Sequence, residues 1–403
     1  MSKEEGHVFS ITPSTRKRRN KVLAISLKIC IQILAFGLYM ILVPLVLLIV
    51  SPLYVYRILV HYLAKLVHPD WDSMMSPRDA IVGLENITKT CECMLTVSLV
   101  CEGTICLNDL RTLFQTRILD DKSSKGEELY KRLWHYFQPW MGFTFWRREK
   151  EFSLNSHIKY CEETESLLAS GGSNNNGTVT EKDMLSILND LSQKTFPLET
   201  SPWELLIIRN YEPQDPCVCI DFKNFGKKER LAPSEIGFED RSTGKFLLLF
   251  RIHHALADGY SILKLLCTKV CNEPSATLPQ PPVSKSSCAS TFLLGLNMLL
   301  FTPYYHLRQF VIDVDRNGWH SGQLKLTHKV HMAFSERISL DRLKGIAKKQ
   351  QVSLTVLILA LWGGAFHRFL ETARKDFKIP KYMRALAPMP WAGHPFQGLI
   401  NHW

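Results

Sequence analysis

Two adjacent histidines, His253 and His254, are followed four residues on by Asp258-Gly259, and they are the side chains of this chain best placed to do chemistry. An imidazole with its ordinary pKa of about 6.5 can take up and release a proton near neutral pH. The full stretch reads Arg251-Ile252-His253-His254-Ala255-Leu256-Ala257-Asp258-Gly259-Tyr260-Ser261. Before it, Phe246-Leu247-Leu248-Leu249-Phe250 is a short apolar run of the kind that forms a buried strand. After it, Ile262, Leu265, Leu266 and Val270 have the spacing of one helix face. Asp258-Gly259 marks the reversal between them. On an extended strand His254 shares a face with Phe246, Leu248, Phe250 and Ile252, and His253 shares the other with Leu247, Leu249 and Arg251. The same pattern also fits an ordinary strand, turn and helix whose histidines bond to backbone.

Other chemistries find less support. There is no G-x-S-x-G nucleophile elbow and no strand-to-G-x-G-x-x-G dinucleotide unit. Among the 11 cysteines, Cys91/Cys93 and Cys217/Cys219 are the closest pairs, tighter than the usual C-x-x-C zinc spacing and without a histidine cluster to complete a site. No metal is expected, and the thiols are read as free and mostly buried. The net charge of +11 suits an anionic partner. No nucleic-acid motif accompanies it, so anionic lipid headgroups fit better than nucleic acid.

Three further segments stand in order around the histidines. His253-His254-Ala255-Leu256-Ala257-Asp258-Gly259 resembles the H-H-x-x-x-D-G motif of the CoA-dependent acyltransferase superfamily, which includes chloramphenicol acetyltransferase and peptide-synthetase condensation domains. Met75-Ser76-Pro77-Arg78-Asp79-Ala80, Ser201-Pro202-Trp203-Glu204 and Arg384-Ala385-Leu386-Ala387-Pro388 resemble the S-P-x-D-A, P-x-W-E and R-A-L-V-P segments of its wax ester synthase/diacylglycerol acyltransferase family. Ala387 replaces the valine. The resemblance runs over roughly residues 75 to 403.

The resemblance implies an α/β, two-lobed chloramphenicol-acetyltransferase-like acyltransferase fold, with a tunnel between the lobes for acyl-CoA and an alcohol. It implies His254 as the general base that takes the acceptor's hydroxyl proton, with no acyl-enzyme. His253 would set the geometry. Asp258 would be structural, with Arg384 as its candidate partner, and Gly259 would leave room near the CoA path. Acyl-CoA enters as co-substrate, with no bound cofactor. The acceptor would be a long-chain alcohol or diacylglycerol, and a sterol or an amine would use the same chemistry. The alternative is a non-catalytic lipid-binding or lipid-droplet surface protein on a truncated acyltransferase fold. Family members continue well past Gly398-Leu399-Ile400-Asn401-His402-Trp403, so a chain ending there would leave the second lobe incomplete.

The supporting elements follow from composition. Residues 1–21 form a basic tail ending in Arg16-Lys17-Arg18-Arg19-Asn20-Lys21, and 22–50 form a transmembrane or hairpin segment. Ile29 through Val50 carries no charge, enough for a span of about 20 residues. Pro44 permits a kink or hairpin. The basic residues before the run put the N-terminus in the cytosol. A single crossing would then put the rest of the chain on the far side, where the sequons Asn86-Ile87-Thr88 and Asn176-Gly177-Thr178 would matter; a hairpin would suit cytosolic acyl-CoA. Residues 51–70 read as an interfacial helix. Residues 71–270 make the first acyltransferase lobe and 271–325 a linker with an apolar segment. Residues 326–403 make a partial second lobe. Membrane is the expected location, at the endoplasmic reticulum or lipid droplet, with the plasma membrane as the alternative.

Within the lobes, Met94–Val100, Trp203–Ile208 and the alternating Val330, Met332 and Phe334 predict strands. Leu107, Leu110, Leu113, Phe114 and Ile118 predict a helix, and Thr180-Glu181-Lys182-Asp183 opens another as a capping box. Residues 212–244 predict a loop or hairpin. Thr291–Phe301 is either a buried core helix or a second membrane contact. Ser339 and Ser353 start two helices, and Gly363-Gly364 in the second suggests close packing against another backbone.

Overall fold

The computed structural model describes residues 15–83, 85, 92–169, 177–192, 194–213, 218–220, 228–230, 244–271, 287–312, 314, 332–333, 338–373, 379, 394 and 398–402. In chain order the elements are α1 (Thr15–Val67), β1 (Ser73–Met74), α2 (Pro77–Val82), β2 (Met94–Glu102) and α3 (Leu107–Phe114). Then follow β3 (His135–Trp140), β4 (Phe143–Arg148), α4 (Leu154–His157), β5 (Ile158–Tyr160), α5 (Glu162–Ala169), β6 (Val179–Thr180) and α6 (Glu181–Leu191). The chain continues through β7 (Trp203–Ile208), β8 (Tyr211–Glu212), β9 (Val218–Ile220), β10 (Lys228–Arg230) and β11 (Lys245–His253). Four helices complete it: α7 (Gly259–Leu265), α8 (Cys288–Leu307), α9 (Leu340–Lys349) and α10 (Leu354–Ala373).

Two compact units result. One takes in Met1–Val60, Val283–Asn317 and Tyr382–Ala385; the other takes in His61–Pro282, Gly318–Lys381 and Leu386–Trp403. Helix α1, of which the first unit holds the part up to Val60, is one 53-residue helix that runs through Pro44 and Pro52 without reversing. No hairpin forms within 22–50, and residues 51–67 continue the same helix. From Ile25 to Val67 it is long and apolar enough to cross a membrane. Helix α8 is exposed from Cys288 to Leu300, with Phe292 at 71% exposure, and only Pro303 and Tyr304 are buried. Of the two readings of Thr291–Phe301, the buried core helix is not what the described residues show: none of their elements covers it. Tyr39 Oη lies 2.5 Å from His306 Nδ1, joining α1 to α8 within this unit.

The second unit is built on a four-stranded sheet of order β2-β11-β7-β5, in which β11 pairs antiparallel with β2 and β7, and β5 pairs parallel with β7. Central β11 has an almost continuous apolar sequence because both faces are covered. Phe246, Leu248, Phe250 and Ile252 pack with Trp203, Leu205 and Ile207 of β7, with Leu110 and Phe114 of α3, and with Ile262 and Leu265 of α7. Leu247 and Leu249 point the other way, with Leu206 and Ile208, against Met184, Ile187, Leu188 and Leu191 of α6. The predicted alternation is thus observed, and one helix layer covers each face. A smaller antiparallel sheet of order β1-β4-β3 lies in the same unit.

Most local expectations hold. The Thr180 hydroxyl and the Asp183 carboxylate cap α6 reciprocally, and Ser339 caps α9. Strands β9 and β10 pair antiparallel within 212–244. Four readings fare otherwise. A Cβ added at Gly363 or Gly364 would meet nothing within 4 Å, so the pair does not mark a close backbone approach. Of the eight free cysteines among the described residues, only Cys161 is buried, while Cys30, Cys106 and Cys288 are exposed, so "mostly buried" is corrected. The Val330–Phe334 strand lies outside the described residues except for Met332 and Ala333, which belong to no element. The two sequon asparagines and Arg384 also lie outside them.

Candidate active site

The strand ends one residue earlier than the alternation argument assumed. His253 closes β11, and His254, Ala255 and Leu256 form the turn, so strand alternation does not set the direction of the His254 ring. Leu256 N–H donates to the His253 carbonyl at 3.0 Å, closing that turn. Asp258 then caps α7: its Oδ1 accepts from Ser261 N–H at 2.8 Å.

The two histidines sit in different environments. His253 is 0% exposed and fully engaged. Its Nδ1 accepts from Ala255 N–H at 3.0 Å, so its proton sits on Nε2, which donates to Glu85 Oε1 at 2.6 Å. Its ring also packs 5.0 Å from that of Phe137. Burial alone would raise the pKa of Glu85. The hydrogen bonds from His253 and from the backbone N–H groups of Cys93 and Glu92 outweigh this and hold its carboxyl below the ordinary range. Glu85 therefore contributes stability above its ordinary pKa, and that stability is lost as pH falls through the lowered value.

His254 is half-buried, and its ring makes no hydrogen bond among the described residues, although Nδ1 is shielded from solvent. Its backbone is pinned on both sides: the N–H donates to Cys93 O at 2.8 Å, and the C=O accepts from Asn401 Nδ2 at 3.0 Å. A fixed backbone carrying an imidazole with unused hydrogen-bonding capacity is an arrangement that suits a proton-transfer group.

Two of the segments singled out in the sequence, Met75–Ala80 and Ser201–Glu204, meet here, while Arg384–Pro388 lies outside the described residues. Asn401 Nδ2 also donates to Ala255 O at 3.1 Å and to Asp79 Oδ1 at 3.0 Å. Asp79 in turn accepts from the Ser76 hydroxyl at 2.9 Å and pairs with Arg132 at 3.2 Å. Pro202 O accepts from His253 N–H at 2.9 Å. Trp203 stacks on His157 and Phe114, with ring centroids 4.5 and 5.1 Å away. Glu204 pairs with Arg251. Among the described residues, Asp258 meets His394 Nε2 at 3.2 Å and His402 N–H at 2.9 Å, both through Oδ2. A Cβ added at Gly259 would meet nothing within 4 Å among the described residues. Glu85, Asn401 and His394 were not singled out in the sequence, and no local signal marks them.

Residues 398–402 reach the site through a left-handed turn. Gly398 has φ +77°, and a Cβ there would lie 2.5 Å from the Leu129 carbonyl oxygen. Gly398→Ala is expected to push Asn401 away from Asp79 and to lower stability by about 1–3 kcal/mol. Thermal unfolding checks this, and an unchanged midpoint would refute it.

A cavity of about 540 Å³ opens elsewhere in this unit, beside Tyr136, His157, Phe196, Trp203 and Glu204, and neither motif histidine lines it. Burial pushes the thiols of Cys101, with help from Cys271, and of Cys161 up to about 11. Neither is a thiolate at neutral pH, which does not suit them to nucleophilic chemistry.

No protein-family model matches this chain, and no curated protein matches it. Among solved structures, it is similar to a wax ester synthase/diacylglycerol acyltransferase from Marinobacter aquaeolei VT8, with 13% identity and a TM-score of 0.41 over 77% of this chain and 63% of that one. It is similar also to the starter condensation domain of rhizomide synthetase, with 11% identity and a TM-score of 0.31 over 62% and 44%. A third is the first condensation domain of the calcium-dependent antibiotic synthetase, with 10% identity and a TM-score of 0.27 over 48% and 36%. The chain spans less than two thirds of the length of each of these. The fold is α/β and resembles theirs in part.

Proposed function

We propose that this chain is a membrane-associated O-acyltransferase that moves a fatty acyl group from acyl-CoA to a long-chain alcohol or diacylglycerol, with His254 as general base. The observation that carries the reading is the asymmetry of the histidine pair. Both nitrogens of His253 are occupied, while the ring of His254 makes no hydrogen bond among the described residues and its backbone is pinned. His254 takes the proton from the acceptor hydroxyl as that oxygen attacks the thioester carbonyl. The tetrahedral oxyanion collapses, the C–S bond breaks, and the imidazolium returns the proton to the departing CoA sulfur. The apolar helix α1 supplies the membrane contact.

The test uses membranes holding the full chain, labelled palmitoyl-CoA, and either hexadecanol or diacylglycerol, beside His254→Ala. Ester formed by the wild type and lost in the variant supports the reading and identifies the acceptor. A folded, membrane-bound wild type that makes no ester in either arm overturns it and favours lipid binding without turnover. The exposed apolar surfaces of α8 and α10 would suit that second reading.

A further inference from the structure

We infer that Glu85 is a positioning residue for His254, acting through His253 and Cys93; this rests on the acyl-transfer reading above. Two chains of hydrogen bonds run from the one carboxylate to the backbone around the base. In the first, Glu85 Oε1 accepts from His253 Nε2–H at 2.6 Å, which holds the ring so that its Nδ1 accepts from Ala255 N–H at 3.0 Å. That fixes the residue after His254. In the second, the same Oε1 accepts from Cys93 N–H at 3.0 Å, and Cys93 O accepts the N–H of His254 itself at 2.8 Å. Glu85 Oε2 accepts from Glu92 N–H at 2.6 Å, so the carboxylate is tethered on its other side.

The arrangement admits one proton placement on His253. Ala255 N–H is a donor, so Nδ1 must be the acceptor and Nε2 must carry the hydrogen, which among the described residues Glu85 Oε1 receives. The ring is 0% exposed, so in the intact protein Glu85 rather than solvent holds that hydrogen. Cys93 directly precedes β2, whose first residue, Met94, stands opposite His253 in the sheet register. Glu85 thus holds the start of β2 and the end of β11 together where the base leaves the sheet. Removing it frees the two groups that flank His254 without touching the imidazole.

The experiment measures kcat and KM for ester formation, with thermal unfolding in parallel, for the wild type, Glu85→Ala and Glu85→Gln in membranes. Alanine removes the acceptor, and kcat is expected to fall by about 10–100-fold with KM within about twofold, since a small misplacement of a catalytic group has effects of that size. Glutamine keeps an oxygen for both His253 and Cys93, while its NH2 faces the Glu92 N–H and that contact must open, so kcat should return to within about fivefold of the wild type. If the alanine variant does not fold, glutamine is compared with Glu85→Asp, whose carboxylate falls one methylene short and should be slower than glutamine. A folded Glu85→Ala with wild-type kcat overturns the positioning role alone. So does a glutamine variant as slow as alanine, or an aspartate variant faster than glutamine. A silent wild type sinks the acyl-transfer reading and the positioning role with it.

Discussion

Replacing His254 with alanine is expected to lower kcat for ester formation by about 10²–10⁴-fold, the range that positioned general bases contribute. Stability should hardly change, because the ring makes no hydrogen bond among the described residues and only the backbone of His254 is bonded. The neighbouring substitution should behave differently. His253→Ala removes one of the three donors to the Glu85 carboxylate and leaves the Ala255 N–H without its acceptor in a fully buried spot. Leaving such groups unsatisfied costs about 1–3 kcal/mol, so this variant should unfold at a lower temperature as well as lose rate. Activity and thermal unfolding measured side by side separate the two roles. A folded His254→Ala with wild-type activity, beside a folded and inactive His253→Ala, would reverse the assignment of the base.

The second large effect concerns stability. Arg251 is 1% exposed in the middle of β11 and lies opposite Glu204 in the register. Its guanidinium pairs with the Glu204 carboxylate and donates through Nη2 to the carbonyls of Leu191 and Lys194, each at 2.7 Å, at the C-terminal end of α6. It also lies over the ring of Phe196, 5.3 Å from its centroid. Arg251→Ala leaves a buried carboxylate with Lys159 at 3.6 Å as its remaining cationic partner among the described residues, and takes a donor from both carbonyls, of which Leu191 O keeps the Lys194 N–H at 3.2 Å. Breaking a buried pair on one side costs about 3–5 kcal/mol. In a unit of this size that lowers Tm by roughly 6–15 °C. The double change Arg251→Met/Glu204→Leu removes both charges together and should recover a large part of the loss, because well-packed apolar replacements of buried pairs are often neutral. A double variant no more stable than Arg251→Ala would show that the backbone carbonyls, rather than the charge pair, dominate.

What could be read from the sequence was what local pattern determines. The alternation from Phe246 to Ile252 reports two covered faces because a strand repeats every two residues. Thr180 with Asp183 reports a helix start because a cap is complete within four residues. Ser76, Trp203 and Glu204 stood out only through a resemblance to a family pattern. Glu85 and Asn401 were not legible. Their partners lie 168 residues away for the His253 contact and 322 for the Asp79 contact, and nothing beside them in the chain marks the bond. The failed readings share this cause. A glycine pair or an apolar run says that close packing is available, but the neighbour that would use it belongs to another part of the fold. At Gly363-Gly364 and along α8 that neighbour is absent among the described residues.

The bond from Asn401 to Asp79 also orders events in time. Its two ends are 322 positions apart, so it forms after nearly all of the intervening chain has been made. Domains fold from the N-terminal side during synthesis, and contacts between remote segments come late because their loops are entropically costly to close. The sheet carrying His253 and His254 can assemble from residues 94–253 while the carbonyls of His254 and Ala255 still face water. The turn that holds His254 is clamped only when the segment carrying Asn401 docks. A nascent chain that already contains the complete histidine motif therefore lacks this clamp, and the Asn401 contacts mark a late step in ordering the turn.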